Sequence, residues 1–316
     1  MRRFAVVCLI VSLITVEARA QVALAKLKIH QAAPPTFTWY GWVAYLDLSA
    51  RFEPMVRGSA TAACGYWPSV TLLDTLTYAN DRDQVLVAIT ANSGTAAAGA
   101  GNGTCTGNVA GMIVSNGQIV SPPQQNGPTL YFVGTDGPRI DVLSSFDTRI
   151  QWAVSGSTST DNDCGGPPGT LLVKDGRPGN CVVPKAGSFA ARGAAGLTKD
   201  RRVLILVVVQ GNEELKNGMN TRQFADLMID LGADSAVNFD GGGSTAFIWK
   251  GSRYQNLKIE ASLYDLIGSG RGLTVTSERK DLRLDYCSTA TQDTPCNDTK
   301  AYRPVYAQLG FVYIED

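Results

Sequence analysis

The chain has 316 residues, with 28 basic and 28 acidic side chains, 33 glycines and one histidine, His30. That length suffices to bury a sizeable core, and the even charge balance excludes the basic face of a nucleic-acid binder. A single histidine excludes histidine-rich metal sites and H-E-x-x-H proteolysis, and a Ser-His-Asp triad would have to recruit His30 from a terminal segment. Catalysis is left to carboxylates, Arg, Lys, Tyr and backbone, with no metal and no cofactor expected.

Arg2 and Arg3 precede an apolar run from Phe4 to Val16, and Ala18-Arg19-Ala20 matches the small-x-small cleavage pattern. These features predict a signal peptide over residues 1–20, a mature start at Gln21 and a periplasmic or secreted protein. The run of about 13 residues falls short of the ~20 that span a bilayer, and no later stretch is long and apolar enough to cross one. Cys8 leaves with the signal. Six cysteines remain, and in an exported chain an even count reads as disulfides. The preferred pairing is Cys64–Cys105, Cys164–Cys181 and Cys287–Cys296, and the absence of a C-x-x-C pair argues against zinc.

Residues 21–35 read as a short polar-apolar lead ending at Pro34-Pro35. Thr36 to Leu48 is rich in aromatic and β-branched residues and predicts a strand whose aromatics serve the core or, if several lie at the surface, a carbohydrate. Helical spacing follows over 69–79, then a buried-type strand over 84–90 ending at Asn92. Val109 to Val120 predicts a hairpin turning at Asn116-Gly117, and turns recur at Asp136-Gly137 and Asp175-Gly176. Val203 to Val209 is continuously apolar, as expected of a central strand. Asn220 and Gln223 form a capping box for a helix over 221–231, with Gly232 as its stop. Residues 251–300 read as polar and irregular, and 302–314 as a final strand. The composite is one α+β domain over 21–316, with a large, mostly antiparallel or mixed sheet, few helices and disulfide staples.

The most informative stretch is Asn238-Phe239-Asp240-Gly241-Gly242-Gly243-Ser244-Thr245. A carboxylate enters a three-glycine turn and two hydroxyls leave it. Glycines permit backbone amides to converge into an anion site, and the competing reading is a tight hairpin with a bulge.

This block, preceded by Gly218-Met219, the capped helix and Leu231-Gly232-Ala233, closely resembles the phosphodiester glycosidase family, bacterial relatives of N-acetylglucosamine-1-phosphodiester α-N-acetylglucosaminidase. Gly111-Met112-Ile113-Val114-Ser115-Asn116-Gly117-Gln118-Ile119-Val120 resembles the family's G-hydrophobic-S-N-G-x-hydrophobic hairpin, Ala191 to Gly196 its A-R-T-A-I-G segment, and Arg303-Pro304-Val305 its closing R-P-V. The resemblance covers about 84–250 plus the final strand. It departs at Asn92-Ser93-Gly94-Thr95-Ala96, where the family has N-G-G-F-F, and at Val209-Gln210-Gly211-Asn212, where it has V-D-G-R.

The resemblance implies hydrolysis of a sugar-1-phosphodiester or a related envelope or extracellular polysaccharide linkage. It implies Asp240 as the catalytic carboxylate. Asn92, Arg192, Asn238, Gly241, Gly242, Gly243, Ser244, Thr245 and Arg303 are the implied substrate-binding residues. A phosphodiester leaves readily, so the chemistry asks for phosphate contacts and a carboxylate more than for an acid. Two other readings are an α-glycan hydrolase or transglycosylase with no phosphate in its substrate, and a glycan-binding protein that has lost turnover.

Overall fold

The computed structural model describes residues 21–31, 37–49, 52–58, 67–68, 85–92, 94–96, 107–123, 127–156, 171–179, 189–211, 218–242, 245–250, 258–259, 273–277, 282–285, 304–305 and 307–314. The expectations for the signal segment, the 69–79 helix, the cysteines, Gly243, Ser244 and Arg303 lie outside the described residues.

In chain order the first strands are β1 (Gln21–Gln31), β2 (Phe37–Asp47), β3 (Phe52–Gly58), β4 (Trp67–Pro68), β5 (Val85–Thr90), β6 (Gly94–Ala96) and β7 (Gly107–Val109). Then come β8 (Ile113–Ser115), β9 (Gln118–Ser121), β10 (Gly127–Val133), β11 (Pro138–Leu143), β12 (Ile150–Ser155), β13 (Val173–Lys174) and β14 (Arg177–Pro178). β15 (Arg192–Leu197), β16 (Val203–Val209), helix α1 (Thr221–Asp230), β17 (Ser235–Asn238) and β18 (Ala246–Trp249) surround the glycine run. The remaining strands are β19 (Lys258–Ile259), β20 (Leu273–Ser277), β21 (Leu282–Asp285), β22 (Pro304–Val305) and β23 (Ala307–Tyr313).

These strands make three large sheets rather than one, with β4 paired to β22 and β6 to β7 in two-stranded ribbons. A nine-stranded sheet runs β14-β13-β17-β15-β16-β2-β1-β19, with β20 also paired to β1. Two five-stranded sheets run β11-β10-β12-β8-β9 and β21-β18-β5-β23-β3. Among the described residues every ladder is antiparallel except β1 with β19. Tight turns explain much of this connectivity. Asn116 (φ 48°) with Gly117 (φ 73°), and Asp175 (φ 51°) with Gly176 (φ 66°), take the paired left-handed conformations of two-residue hairpins. At the β15–β16 turn, the Thr198 hydroxyl (2.7 Å) and the Arg202 amide (3.1 Å) donate to Asp200 and hold its carboxyl below the usual carboxylate range.

The nine-stranded sheet is covered on both faces, which is why β16 is apolar at every position. Leu204, Leu206 and Val208 face the five-stranded sheets, where they join Ile89, Phe247, Trp249, Leu309, Phe311 and Val154 in one core. Val203, Ile205, Val207 and Val209 face α1 and meet Phe224, Leu227, Met228 and Leu231. The helix has the predicted capping box: Asn220 Oδ1 accepts from the Gln223 amide (2.8 Å), and Gln223 Oε1 accepts from the Asn220 amide (3.1 Å). Its far end closes as a Schellman motif, with Gly232 at φ 96°, its amide on Ile229 O and the Ala233 amide on Met228 O. The Tyr45 hydroxyl donates to Leu231 O (3.1 Å) and ties β2 to the end of α1.

Two expectations are corrected. Residues 21–31 are no lead but an eleven-residue strand inside the largest sheet, with Val22, Ala23, Leu24, Ala25 and Leu27 at 0% exposure. The alternation was hidden because the first half of β1 is buried on both faces. The described parts of 251–300 are likewise not irregular: β19 and β20 pair with β1, and β21 pairs with β18.

Candidate active site

The glycine run is not a hairpin. β17 lies in the nine-stranded sheet between β13 and β15, whereas β18 lies in a five-stranded sheet between β21 and β5. The chain therefore crosses from one sheet to another, and Asp240 stands on the crossing. The Phe239 amide still donates to Gly193 O (2.8 Å), extending the β15 ladder. One residue later the Asp240 amide donates to Ala91 O (2.8 Å), just past the end of β5. The Gly242 amide then returns to Ala191 O (2.9 Å).

This geometry explains the glycines. Gly242 has φ 61°, and a Cβ on Gly241 would stand 2.9 Å from Ala191 O. It also corrects the anion-nest reading for two of the three amides. Gly241 donates to Asp240 Oδ1 (3.0 Å) and Gly242 to Ala191 O, so both are spent inside the protein. At these two positions the run serves close packing and a left-handed turn, and it orients the carboxylate.

The described site residues converge here. Arg192 opens β15, and its Nε donates to Met219 O (3.0 Å), at 6% exposure. Nη1 of the same guanidinium lies 3.9 Å from the Cβ position of Gly241, so the buried arginine and the Asp240-Gly241 turn are neighbours. Asn238 pairs with Ala194 at the end of β17, and its Oδ1 is buried with no partner among the described residues. Thr245, 1% exposed where β18 begins, has its Oγ1 in the same condition. Sequence reasoning missed Gly193, whose Cβ position faces Ile89 Cδ1, Thr245 Cγ2 and Asp240 O at 3.6, 3.8 and 3.9 Å. Only the family's threonine at that place hinted that position 193 lines the site.

Asn92 is fully buried and committed to backbone. Its Nδ2 donates to Ala110 O (2.9 Å) and Met112 O (3.2 Å), and its Oδ1 accepts from the Ser155 amide (3.1 Å). Ser155 Oγ in turn accepts from the Met112 amide (2.7 Å) and shares a hydrogen bond with Thr129 Oγ1 (2.9 Å). Beside this network Gly156 packs so tightly that a Cβ would stand 2.4 Å from Asn238 O. Three sheets thus meet around Asp240. Replacing Asn92 by Ala strands buried backbone carbonyls and is expected to destabilise the protein by about 2–4 kcal/mol, read by urea denaturation. Unchanged stability with a raised KM would instead make Asn92 a direct substrate contact.

Two neighbouring backbones are held by the same close approach. Cβ atoms on Gly211 or Gly218 would lie 2.3 and 2.6 Å from atoms of Ala190, and Gly218 has φ 149°. Ala190 bridges to Met219, so these glycines set the position of the carbonyl that anchors Arg192.

Comparison with known proteins bears on the fold and the family. In structure the chain is similar to the zebrafish N-acetylglucosamine-1-phosphodiester alpha-N-acetylglucosaminidase catalytic domain auto-inhibited by its pro-peptide. The match has TM-score 0.55 and 18% identity over 95% of this chain and 85% of that one. It is also similar to a candidate exported protein from Burkholderia pseudomallei, with TM-score 0.53 and 13% identity over 89% and 75% of the two chains. At these identities the likeness is one of fold. No curated protein matches the chain in sequence. The phosphodiester glycosidase family model matches residues 84–267, more than half of the sequence and including every described site residue. The chain belongs to the phosphodiester glycosidase family.

Proposed function

We propose that this protein is an exported glycosidase that hydrolyses a sugar-1-phosphodiester, or a related linkage of an envelope or extracellular polysaccharide, at Asp240. The observation that carries the reading is the buried Arg192 guanidinium, pinned through Nε beside the Asp240-Gly241 turn. A buried arginine suits a phosphate better than a lysine does, because its planar fork matches two phosphate oxygens. Family membership supports a carbohydrate or glycosyl-phosphate as the partner. Export rests on the residue 1–20 signal pattern, and no helix among the described residues is long and apolar enough to cross a membrane.

In the proposed reaction the C1–O bond breaks and its electron pair leaves on the phosphate monoester. The developing positive charge on the sugar ring is met by the Asp240 carboxylate, whose Oδ1 is oriented by the Gly241 amide. Water supplies the new hydroxyl at C1, and its proton leaves through the carboxylate. Arg192 binds the phosphate oxygens, while Asn238 and Thr245 offer polar atoms on either side of Asp240. Gly241 and Gly242 shape the turn, and Gly243 and Ser244 are proposed as substrate contacts on the strength of the family pattern. Arg303 is proposed as a second phosphate contact on the strength of the family pattern, as is Asn92 in support of the sugar side.

The test is turnover of a panel of sugar-1-phosphodiesters beside plain α-glycosides. Arg192→Lys is expected to raise KM for the phosphodiesters by roughly ten- to a hundredfold, the loss of a charge-assisted bidentate contact of about 1.5–3 kcal/mol. Any turnover of plain α-glycosides should be unchanged. Equal loss on both substrate classes would remove the phosphate from the reading.

A further inference from the structure

The aromatic residues of β2 divide between two faces. Trp39 and Tyr45 are 7% and 0% exposed and belong to the core under α1. Tyr40 and Trp42 lie on the opposite face and remain partly exposed, Trp42 resting one side on the core between the sheets. Two rings at i and i+2 stand roughly 7 Å apart along a strand. Register places Lys26 of β1 beside Trp42 and Lys28 beside Tyr40. Lys26 Nζ lies 5.6 Å from the Tyr40 ring centre and 5.9 Å from that of Trp42. Both lysines are exposed, and neither forms an ion pair among the described residues.

Sheet register aligns this strip with the candidate active site. Lys26, Trp42, Val208 and Gly193 are successive neighbours across β1, β2, β16 and β15. Gly193 faces Asp240 and Thr245, so Trp42 lies two strand spacings from it, about 10 Å. One row further out the Gln210 amide donates to Tyr40 O (2.9 Å), and Tyr40, Gln210, Gly211 and Gly241 are all partly exposed. Partly exposed residues therefore run from the rings toward the Asp240 turn.

We propose that Trp42, Tyr40, Lys26 and Lys28 form a glycan subsite for the acidic sugar units that adjoin the linkage cut at Asp240. The proposal rests on the glycosidase reading above. Aromatic faces present a broad apolar surface to the C–H faces of sugar rings, and exposed ammonium groups pair with their carboxylates. A neutral glycan would leave the two lysines without a role. A purely structural pair would need only Lys26, as a cation over the rings. Lys28, which has no acid beside it among the described residues, lies next to Tyr40 and extends the strip along β1.

The experiment titrates the mature chain with hexasaccharides of alginate, polygalacturonate and hyaluronan, following tryptophan emission and heat. Maltohexaose and inorganic polyphosphate are the neutral and sugar-free comparators. At least one acidic hexasaccharide is expected to bind and quench emission, at least about tenfold more tightly than either comparator. Trp42→Ala and the pair Lys26→Glu with Lys28→Glu should each weaken it by about tenfold or more. The lysine pair is exposed and carries the test should Trp42→Ala fail to fold. No binding of any acidic hexasaccharide, or equal affinity in wild type and the lysine pair, overturns the proposal. So does polyphosphate binding as well as the sugars with Trp42→Ala without effect. A wild type that binds through the strip yet cuts no sugar-1-phosphodiester sinks the hydrolytic reading and leaves the subsite standing. Turnover without strip-dependent binding does the reverse.

Discussion

Asp240→Asn is expected to lower kcat on sugar-1-phosphodiesters by on the order of a thousandfold while leaving the melting temperature within a few degrees. The two parts of that expectation come from different features. The carboxylate is the charged group of the turn that neighbours Arg192, and an amide cannot balance an oxocarbenium-like charge or take a proton from water. The backbone contacts of Asp240 do not need that charge. Asp240 is held by backbone, through its amide on Ala91 O, and its Oδ1 contact with the Gly241 amide survives in Asn. Steady-state kinetics beside a thermal melt decide the matter. Full activity in the variant would remove Asp240 from the mechanism, and a collapsed melt would make it a structural residue. The same variant should still bind a phosphodiester, because Arg192 is untouched.

A mature chain that begins at Ala32 instead of Gln21 is expected not to fold. Residues 21–31 fill a place in the nine-stranded sheet between β2 and β20, with β19 along the same strand. Val22 and Leu24 reach the core between the sheets, while Leu27 and Ile29 reach the core under α1. Burying each such side chain contributes roughly 1.5–3 kcal/mol, and four of them together rival the about 5–15 kcal/mol by which a domain is stable. Their removal also exposes the long inner edge of β2, a template for aggregation. Soluble yield, circular dichroism and protease resistance of the two chains give the readout. A cooperative melt from the Ala32 chain, close to that of the Gln21 chain, would show that β1 is dispensable. If export cleaves after Ala20, as proposed, the cut falls at the last position that leaves this strand whole.

Local chemistry made several elements legible from the sequence. Asn116-Gly117 and Asp175-Gly176 had to be hairpin turns because few other residues accept two successive left-handed conformations. The α1 helix carried its own start and stop in Asn220, Gln223 and Gly232. β16 declared a central strand through seven consecutive apolar residues. The family, and with it the neighbourhood of Asp240, was readable from the glycine block for the same reason: crowded backbones leave few choices of residue.

Partnerships between distant strands were not legible. Period-two alternation reveals a strand with one wet face, and β1 has none over its first half, so it passed for a lead. β17 and β18 flank a turn just as hairpin strands do, and only the tertiary structure assigns them to different sheets. That assignment turned the glycine run from an expected amide nest into a crossing packed against Ala191, with two of its amides already bonded. It brought Arg192 beside Asp240 from 48 residues away in the chain and buried Asn92 among backbone groups. Short-range chemistry encodes the local turns, the helix and the residue types of a phosphodiester glycosidase. Which face each aromatic of β2 takes, and which backbone each glycine touches, was decided by sheet register, a long-range property that no short stretch of residues encodes.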